Sequence, residues 1–365
     1  MRVLYFTRDY TTHDHRYLTA LANSEYKIYY LRLEQSTHKT ENQALPHGIE
    51  PVPWVGGNRP YHWQDAPRLY KDLKRVISEI KPNLIHAGPL QTCAFLCALN
   101  GFHPLVSMSW GYDLLQDAQR DPLNQRITRY TLRHTDVLVG DCDTVRKKAI
   151  ELGMDDERIV TYPWGIDLEH FNFPLGKAQN GSTFTLISTR GWEPIYGVNV
   201  IAHAFVQAVK QRPELRLVML GDGSQSDILR MIFADGGVLD RVNLPGQINQ
   251  ADLPDFYQSA NLYIAASHSD GTSISLLEAM ACGCPALVSD IPGNREWITP
   301  GVQGWLFKDG DVSALTRAIV RAYDDRALLP EMGRSSRSLV EERADWNKNF
   351  PQLLEAYQSA LQFVD

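Results

Sequence analysis

Long hydrophobic runs are missing from this sequence of 365 residues, and none approaches the roughly 18 apolar residues that a membrane-spanning helix requires. Cysteine is scarce: the chain has five, an odd number, and we find no export signal. The first ten residues, MRVLYFTRDY, have the pattern of a strand followed by polar residues, which differs from a signal peptide. We therefore expect reduced thiols and a cytoplasmic protein.

An excess of basic residues and a complete set of cysteine ligands are missing as well. The formal net charge is −7, which argues against nucleic acid as the main partner. The cysteine pairs have no third and fourth ligand at zinc spacing. We expect them to be small buried residues: Cys93 with Cys97, and Cys282 with Cys284.

Two further patterns resemble known binding motifs but are incomplete. Asp141 and Asp143 form an Asp-x-Asp pair, but Asp143 directly precedes a helical pattern, Thr144 to Leu152, and we expect it to be the N-cap of that helix. The turn from Gly221 to Ser224 is too short for the G-x-G-x-x-G dinucleotide fingerprint. The sequence predicts no metal site and no cofactor, and it disfavours a nicotinamide oxidoreductase.

Short β-rich runs alternate with helical patterns along the whole chain, as is typical of parallel sheets with crossover helices. Two sets of six runs predict an α/β protein with two doubly wound, Rossmann-like domains. The polar segment 173–182 separates a domain at 1–172 from one at 183–345, and a terminal helix covers about 346–365. The predicted strands are Val3–Phe6, Lys27–Leu33, Leu84–Ala87, Leu105–Ser109, Val137–Val139 and Ile159–Tyr162, then Phe184–Thr189, Leu215–Leu220, Val242–Leu244, Leu262–Ala266, Ala286–Ser289 and Trp305–Phe307.

One long region, Glu34 to Pro67, does not follow the alternation. It contains several prolines and exposed-looking aromatic residues, among them Trp54 and Trp63. Long irregular segments in compact domains are often functional or mobile. The rings could stack on a sugar or pack the segment against its own domain, and we favour packing.

The stretch from Ser267 to Trp297 holds the clearest candidate site. A turn of small residues, Asp270 to Ser273, leads from a strand into a helix at Ile274 to Cys282 that is apolar around most of its circumference. The backbone N–H groups at the start of such a helix favour phosphate. Glu278 on this helix requires a partner, because an unpaired buried charge is costly. Two interpretations fit: a phosphate turn with a carboxylate one turn deeper, or an ordinary turn with a salt-bridged glutamate.

Other candidates follow strands, because doubly wound folds bind ligands beyond the carboxyl ends of their strands. His13, His15 and Arg16 form either an acceptor-side polar cluster or the first turn of a helix whose N-cap is Thr11 or Thr12.

Later strand ends offer further candidates. In the turn SWGYD, Trp110 could line a pocket or belong to the core, and Asp113 follows it. Arg190, at the end of the first strand of the second half, could bind phosphate oxygens or form a surface salt bridge.

These runs resemble one known family. The second half, through SDGTSISLLEAMACGCP, SDIPGNREWI, LGDGSQSDIL and VNLPGQINQADLPDFYQSANLYIAAS, resembles the retaining glycosyltransferases of the GT-B fold in family 4. In the first half KPNLIHAG, SWGYD and RIVTYPWGIDLEHF fit the same pattern, so that the resemblance covers nearly the whole chain apart from Glu34 to Pro67.

The resemblance implies a GT-B fold, with two Rossmann-like domains facing across a cleft. It implies a hexosyltransferase-like, metal-independent enzyme of polysaccharide or glycoconjugate biosynthesis. The second domain would bind a nucleotide-sugar donor, and the first domain a glycan or lipid-linked acceptor. Peripheral contact with the cytoplasmic face of a membrane stays open.

The same resemblance implies roles for single residues. Arg190 would contact the donor diphosphate, Asp270 the hydroxyl groups of the donor sugar, and Glu278 the ribose hydroxyl groups. The remaining donor-site residues would be Tyr196, Gly221, Gln247, Ile248 and the backbone N–H groups of Gly271, Thr272, Ser273 and Ile274. The acceptor-side residues would be His13, His15, Arg16, Trp110 and Asp113.

The chain departs from the family pattern at two side chains. Tyr196 stands where the family usually has lysine, which removes a cation opposite the diphosphate, and Trp110 stands where it often has histidine. The Gly-Gly of the first turn is also absent. These departures leave a second hypothesis: a catalytically inactive nucleotide-sugar-binding protein, or the partner subunit of an active homologue.

Overall fold

A computed structural model describes residues 1–35, 43–173 and 183–363. The chain divides into two compact units, Met1–Tyr162 together with Phe350–Asp365, and Pro163–Asn349. Each unit contains one parallel sheet and its helices, which confirms the predicted α/β class with two doubly wound domains. The separating segment lies, from residue 174 to 182, outside the described residues.

The first unit is built on a seven-stranded sheet with the order β3-β2-β1-β4-β5-β6-β7. Strand β1, Arg2–Thr7, pairs in parallel with β2 and β4, and residues 3–7 of this strand are buried. Continuous burial is expected of a parallel strand that helices cover on both faces. The strands are β1 Arg2–Thr7, β2 Lys27–Arg32, β3 Ile49–Pro51, β4 Leu84–Gly88, β5 Leu105–Met108, β6 Val137–Gly140 and β7 Ile159–Thr161.

The second unit is built on a six-stranded sheet with the order β10-β9-β8-β11-β12-β13. All pairings in this sheet are parallel, and the chain reverses its direction of strand addition between β8 and β11. Such a switch point is where doubly wound folds bind ligands. The strands are β8 Phe184–Ser188, β9 Leu215–Leu220, β10 Val242–Gly246, β11 Leu262–Ala265, β12 Ala286–Ser289 and β13 Gly304–Phe307.

Helices connect the strands in both units, with short 3₁₀ and π-helical turns beside some of them. Within the described residues the α-helices are α1 Thr12–Ala22, α2 Ala66–Ile80, α3 Phe95–Leu99, α4 Ala118–Arg120, α5 Pro122–Arg133, α6 Asp143–Glu151, α7 Val198–Val209, α8 Ser226–Asp235, α9 Leu253–Ser259, α10 Ile274–Ala281, α11 Pro292–Arg295, α12 Val312–Asp324, α13 Leu329–Arg343, α14 Trp346–Asn349 and α15 Pro351–Gln362.

Among the described residues, twelve strands lie where the sequence predicts them, and β3 is a thirteenth that the prediction missed. This strand has three residues, ends in Pro51 and occupies the sheet edge, so it carries no alternation to detect. It lies in the region expected to be irregular. In that region Trp54 packs edge-on against Phe6 with 5.3 Å between ring centroids, whereas the Trp63 side chain is 76% exposed.

Two helix boundaries differ from the prediction. Asp143 is the first residue of α6 rather than its N-cap; Cys142 holds the cap position with extended backbone angles and makes no side-chain capping bond. An aspartate in the first turn still stabilises the helix, because its negative charge interacts favourably with the helix dipole. The terminal helical pattern is interrupted at Phe350, because Pro351 starts a new helix, α15.

Residues 163–172 lie with the second unit, although the sequence assigned them to the first domain. Backbone hydrogen bonds bind them to the end of α13: Ile166 N donates to Ala344 O at 2.7 Å, and Trp346 N donates to Ile166 O at 3.1 Å. Arg337 Nη1 donates to Phe171 O at 2.7 Å. These bonds explain why the change of unit comes before the polar segment.

Helix α15 belongs to the first unit, and a buried polar contact fixes it there. The hydroxyl of Tyr357 lies 2.6 Å from His86 Nδ1 on β4, and Gln358 Nε2 donates to the Tyr26 hydroxyl at 2.8 Å. Both rings of the first pair are fully buried. Burial lowers the pKa of His86 to about 3, so the imidazole is neutral in the folded protein.

We predict that His86 makes the stability of the fold depend on pH. Its pKa is lowered in the folded state, so protonation at acid pH favours the unfolded chain. Compared with a His86→Phe variant, the wild type should lose free energy of unfolding as the pH falls from 7 to 4, by up to about 1.4 kcal/mol per pH unit. Urea unfolding at several pH values measures this, with surface His62→Phe as control. A wild-type–variant difference that stays constant with pH would contradict it.

Candidate functional site

Helix α10 and the turn before it form the centre of the candidate site. The helix is buried, and its Glu278 side chain is almost inaccessible to solvent. Ser273 takes the N-cap position without a side-chain capping bond, and Leu277 N donates to Ser273 O at 3.1 Å. The backbone N–H groups of the first turn therefore have no acceptor within the helix and are available to an anion.

A neighbouring helix fixes the shape of this turn. Gly293 on α11 lies so close to it that a Cβ atom there would stand 2.3 Å from Gly271 O and 2.6 Å from Asp270 O. Only glycine allows this approach. Nearby, the Ser289 hydroxyl donates to Ser267 O at 2.5 Å, and Asn294 Nδ2 donates to Ser289 O at 2.8 Å. The turn is thus held by buried contacts before any ligand arrives.

Arg190, two residues beyond β8, reaches into the same turn. Its Nη2 lies 2.8 Å from Asp270 Oδ2, and its Nη1 donates to the hydroxyls of Ser273 at 3.1 Å and Ser275 at 3.3 Å. The guanidinium carbon lies 4.1 Å from the centre of the Tyr196 ring, a cation–π distance. Four side chains, from the turn, α10 and the segment after β8, therefore converge on one cation.

The Arg190–Asp270 pair is buried and incompletely satisfied. Burial raises the pKa of Asp270, and the Arg190 charge opposes that rise. Burial disfavours the charge of Arg190, but the Asp270 carboxylate outweighs it, and the pKa of Arg190 lies above its usual value. Among the described residues, neither Arg190 Nε nor Asp270 Oδ2 has a hydrogen-bond partner of good geometry. Buried polar atoms that lack a hydrogen-bond partner favour a ligand that supplies one.

Glu278 lies one turn deeper in α10 and has a hydrogen-bonded support. The hydroxyl of Tyr257 on α9 donates to Glu278 Oε2 at 2.9 Å, and the same hydroxyl lies 2.8 Å from Thr189 Oγ1. Tyr263 on β11 similarly holds Ser275, with 2.9 Å between the two hydroxyl oxygens. These tyrosines orient polar groups of α10, and no local sequence pattern identifies either of them.

Two glycine turns bring backbone close to this site. Gly197 has φ +57°, and a Cβ atom there would lie 2.1 Å from Ala266 O. Gly221, predicted to admit a nucleotide, has φ +118° and packs against Arg190 O. Its N–H donates to Gly246 O at 2.8 Å. Side chains at these positions would displace the strand ends that hold Arg190.

The other predicted donor-site residues surround this centre to different degrees. Thr272 and Ser273 are buried in the turn, and Ile274 starts α10. Gln247 and Ile248 follow β10 at the same sheet edge; the first is exposed, and the second packs on the core beneath α10. The structure thus brings Arg190, Tyr196 and the residues of the α10 turn together, with Gln247 and Ile248 at a neighbouring strand end.

The first unit contains the acceptor-side candidates. The rings of His13 and Trp110 lie 6.0 Å apart, so these two residues are neighbours. His15 Nδ1 lies 2.6 Å from the Tyr10 hydroxyl. Arg16 is half-buried on α1, whose N-cap is Thr11 with a full capping box, as one of the two interpretations has it.

Asp113 is placed differently from these residues. It is fully buried, and it accepts hydrogen bonds from the Ser109 hydroxyl at 2.6 Å, Leu114 N at 3.0 Å and Leu90 N at 3.1 Å. Burial raises its pKa to about 6 against the effect of these bonds. The carboxylate holds the SWGYD turn, and its oxygens are already occupied.

Family models match both halves of the chain. Residues 176–339 match the model described as glycosyl transferases group 1, and residues 2–141 match the model described as glycosyl transferase 4-like. The chain belongs to the family 4 type of GT-B glycosyltransferases. The predicted resemblance and the predicted fold are thereby confirmed.

Relatives and solved structures agree with this assignment. The D-inositol 3-phosphate glycosyltransferase of Gordonia bronchialis is 28% identical over 246 residues, which are 62% of this chain and 53% of that protein. The UDP-Gal:alpha-D-GlcNAc-diphosphoundecaprenol alpha-1,3-galactosyltransferase of Escherichia coli is 28% identical over 192 residues, 49% of this chain and 48% of that protein. The chain thus spans about half the length of these curated relatives. HepE of Anabaena, solved with UDP, has a TM-score of 0.80 at 20% identity, over 98% of this chain and all of that one.

Two further properties concern the described residues only. They contain no group of three or more His, Cys, Asp or Glu side chains arranged to hold a metal ion, the Asp141 region included. They also contain no helix with the length and apolar character needed to cross a bilayer.

We predict that the Tyr257 hydroxyl stabilises the fold through Glu278. A Tyr257→Phe variant leaves a buried carboxylate with one donor fewer, and it should lose about 1–3 kcal/mol of unfolding free energy. Urea denaturation measures the loss. Tyr323→Phe, at a half-buried ring of the same unit, is the matched control. Equal losses in the two variants would show that the Tyr257 hydroxyl has no such role.

Proposed function

We propose that the chain transfers a sugar from a nucleotide-sugar donor to an acceptor hydroxyl group, with retention of the anomeric configuration. The strongest support is the arrangement of Arg190 and Glu278 around one buried helix, α10. Arg190 reaches the turn before this helix, and Glu278 lies one turn inside it. Arg190 and the first-turn N–H groups of α10 suit a diphosphate, and Glu278 lies four residues beyond Ile274, about 6 Å further along the helix axis. That separation suits a diphosphate joined to a ribose.

Each part of the donor has a proposed contact. The diphosphate binds Arg190 and the backbone from Gly271 to Ile274, where the helix dipole adds to the positive field. The ribose hydroxyls donate to the Glu278 carboxylate, which Tyr257 already orients. Asp270 accepts hydrogen bonds from the donor sugar. UDP is the first nucleotide to test, because HepE was solved with UDP and the Escherichia coli relative is named for a UDP-sugar.

The proposed transfer occurs on one face of the sugar. The bond between the anomeric carbon and the diphosphate oxygen breaks, and the acceptor oxygen forms a bond to that carbon from the same side. The acceptor proton passes to an oxygen of the departing diphosphate. No enzymatic nucleophile is needed, and Arg190 with the α10 amides stabilises the charge that develops on the leaving group. The proposal requires no metal ion.

The acceptor is proposed to be a glycan or a lipid-linked glycan in polysaccharide or glycoconjugate assembly. His13 and Trp110, whose rings are neighbours in the first unit, are the residues we assign to it. The name of the Escherichia coli relative, which includes a diphosphoundecaprenol-linked sugar, supports a lipid-linked acceptor.

A non-catalytic nucleotide-sugar-binding protein is the second candidate. It is favoured by Tyr196, whose neutral ring takes the place of a second cation beside Arg190. Tight donor binding with no product from any acceptor pool would favour this candidate over the enzyme.

We predict that Arg190→Ala and Glu278→Ala each lower donor consumption by about 100-fold or more, since each removes a charged contact in a water-poor site. Initial rates with a UDP-sugar and a pooled glycan acceptor measure this. Arg212→Ala and Glu331→Ala, at exposed ion pairs of the same unit, are the charge-matched controls. Near wild-type rates in both site variants would refute the site assignment.

We predict opposite effects of Asp270→Asn on binding and on transfer. In the ligand-free site Asp270 neutralises Arg190, so its removal should strengthen the binding of UDP several-fold by freeing that cation. Transfer should fall at least tenfold, because the sugar loses an anionic acceptor. Calorimetry with UDP and steady-state rates give the two values, with Asp324→Asn as the control at a surface pair. Weaker UDP binding by the variant would contradict our inference that Asp270 and the diphosphate compete for Arg190.

A further inference from the structure

Helix α5 presents an unusual face to solvent. Leu123, Arg126, Arg129, Tyr130 and Arg133, together called the α5 face, are exposed and fall within about 120° of the helix circumference at 3.6 residues per turn. The Leu123 side chain is 65% exposed and Tyr130 is 37% exposed. The buried residues Thr128, Thr131 and Leu132 lie on the opposite side.

The three arginines of this face have no carboxylate partner in the part of the chain that the structure describes. Among the described residues, none of Arg126, Arg129 and Arg133 lies within ion-pair distance of an acidic side chain, although Arg120, just before the helix, pairs with Asp117 and Asp121. Helix α5 contains no aspartate or glutamate in a chain whose net charge is −7. Three uncompensated charges therefore lie together on an otherwise acidic protein.

Apolar and aromatic side chains extend the same surface. Tyr130 stacks on His134 with 4.1 Å between ring centroids and meets Phe95 edge-on at 5.8 Å. Leu99, at the end of α3, is 39% exposed. Arginine guanidinium groups bind phosphate, and leucine and tyrosine prefer the boundary between water and hydrocarbon. This combination of side chains is typical of an interfacial helix.

We propose that the α5 face binds a membrane surface rich in anionic phospholipids. The lipid phosphates would compensate the three arginines, and Leu123 would enter the boundary between headgroups and acyl chains. The net charge of the chain does not prevent this, because salt screens charges beyond about 8–10 Å and the local arginines dominate at contact. The interaction does not depend on transfer activity; if the proposed function holds, it keeps the enzyme at the surface that carries a lipid-linked acceptor.

Vesicle flotation tests this proposal with the full chain. The wild type should float with phosphatidylcholine vesicles that contain phosphatidylglycerol, and not with phosphatidylcholine alone. The triple variant Arg126→Glu, Arg129→Glu, Arg133→Glu should bind about 100-fold more weakly. The triple variant Arg230→Glu, Arg317→Glu, Arg326→Glu changes the net charge equally on exposed arginines of the second unit, and it should bind like the wild type. Leu123→Ser should weaken binding without a change of charge.

Several outcomes would overturn the proposal. Equal losses in the two triple variants would mean that net charge alone governs binding. Equal affinity for a soluble acidic polysaccharide would identify a general polyanion site. An oligomer that the α5 variant dissociates would make a second copy of the chain the occupant. Circular dichroism melting of each variant shows whether the fold is retained. Leu123→Ser, a single substitution at an exposed side chain, keeps the test valid if the charge variant unfolds.

Discussion

The burial of the Arg190 charge is the constraint on which the rest of the site depends. A guanidinium removed from water is costly unless charge and hydrogen bonds replace its hydration. Here Asp270, Ser273 and Ser275 supply them, and the Tyr196 ring covers one face of the cation. These residues come from the turn, α10 and the segment after β8, so a single charge fixes three parts of the second unit relative to one another.

The groups around Arg190 are therefore engaged with one another. Asp270 pairs with Arg190, the cation that we propose for the diphosphate, and the raised pKa of Asp270 indicates that its burial is only partly offset. Glu278 has a separate support in Tyr257 and Thr189, so the two carboxylates of the site do not depend on the same partners. In the proposed enzyme, this separation allows the sugar-side carboxylate to change partners while the ribose-side carboxylate stays in place.

Much of the fold could be predicted, because buried parallel strands are short continuous apolar runs and the helices between them are amphipathic. The short edge strand β3 could not, since three residues ending in proline contain no period. The helix that carries Glu278 was predicted from its apolar circumference alone. The start of α6 was misplaced by one residue, because aspartate suits both the cap and the first turn.

The residues of the site were easier to predict from the sequence than the contacts between them. Arg190 and Asp270 are 80 positions apart in the chain, and only the packing of β8 against β11 brings their segments together. Tyr257 acts on Glu278 from another helix, and its sequence neighbourhood resembles any amphipathic helix. Tyr196 was noted as a replacement for a cation, whereas its position beneath the guanidinium of Arg190 follows only from the structure. Local patterns predict elements; contacts between elements depend on the complete fold.

The central claim is that Glu278 recognises a ribose, and one comparison of ligands tests it most directly. The affinities of UDP and 2′,3′-dideoxy-UDP are measured by calorimetry for the wild type and for Glu278→Ala. We predict that the wild type binds UDP at least tenfold more tightly than the dideoxy analogue, and that this preference disappears in the variant. The same preference in both proteins, or none in the wild type, would contradict the assignment of Glu278 to the ribose.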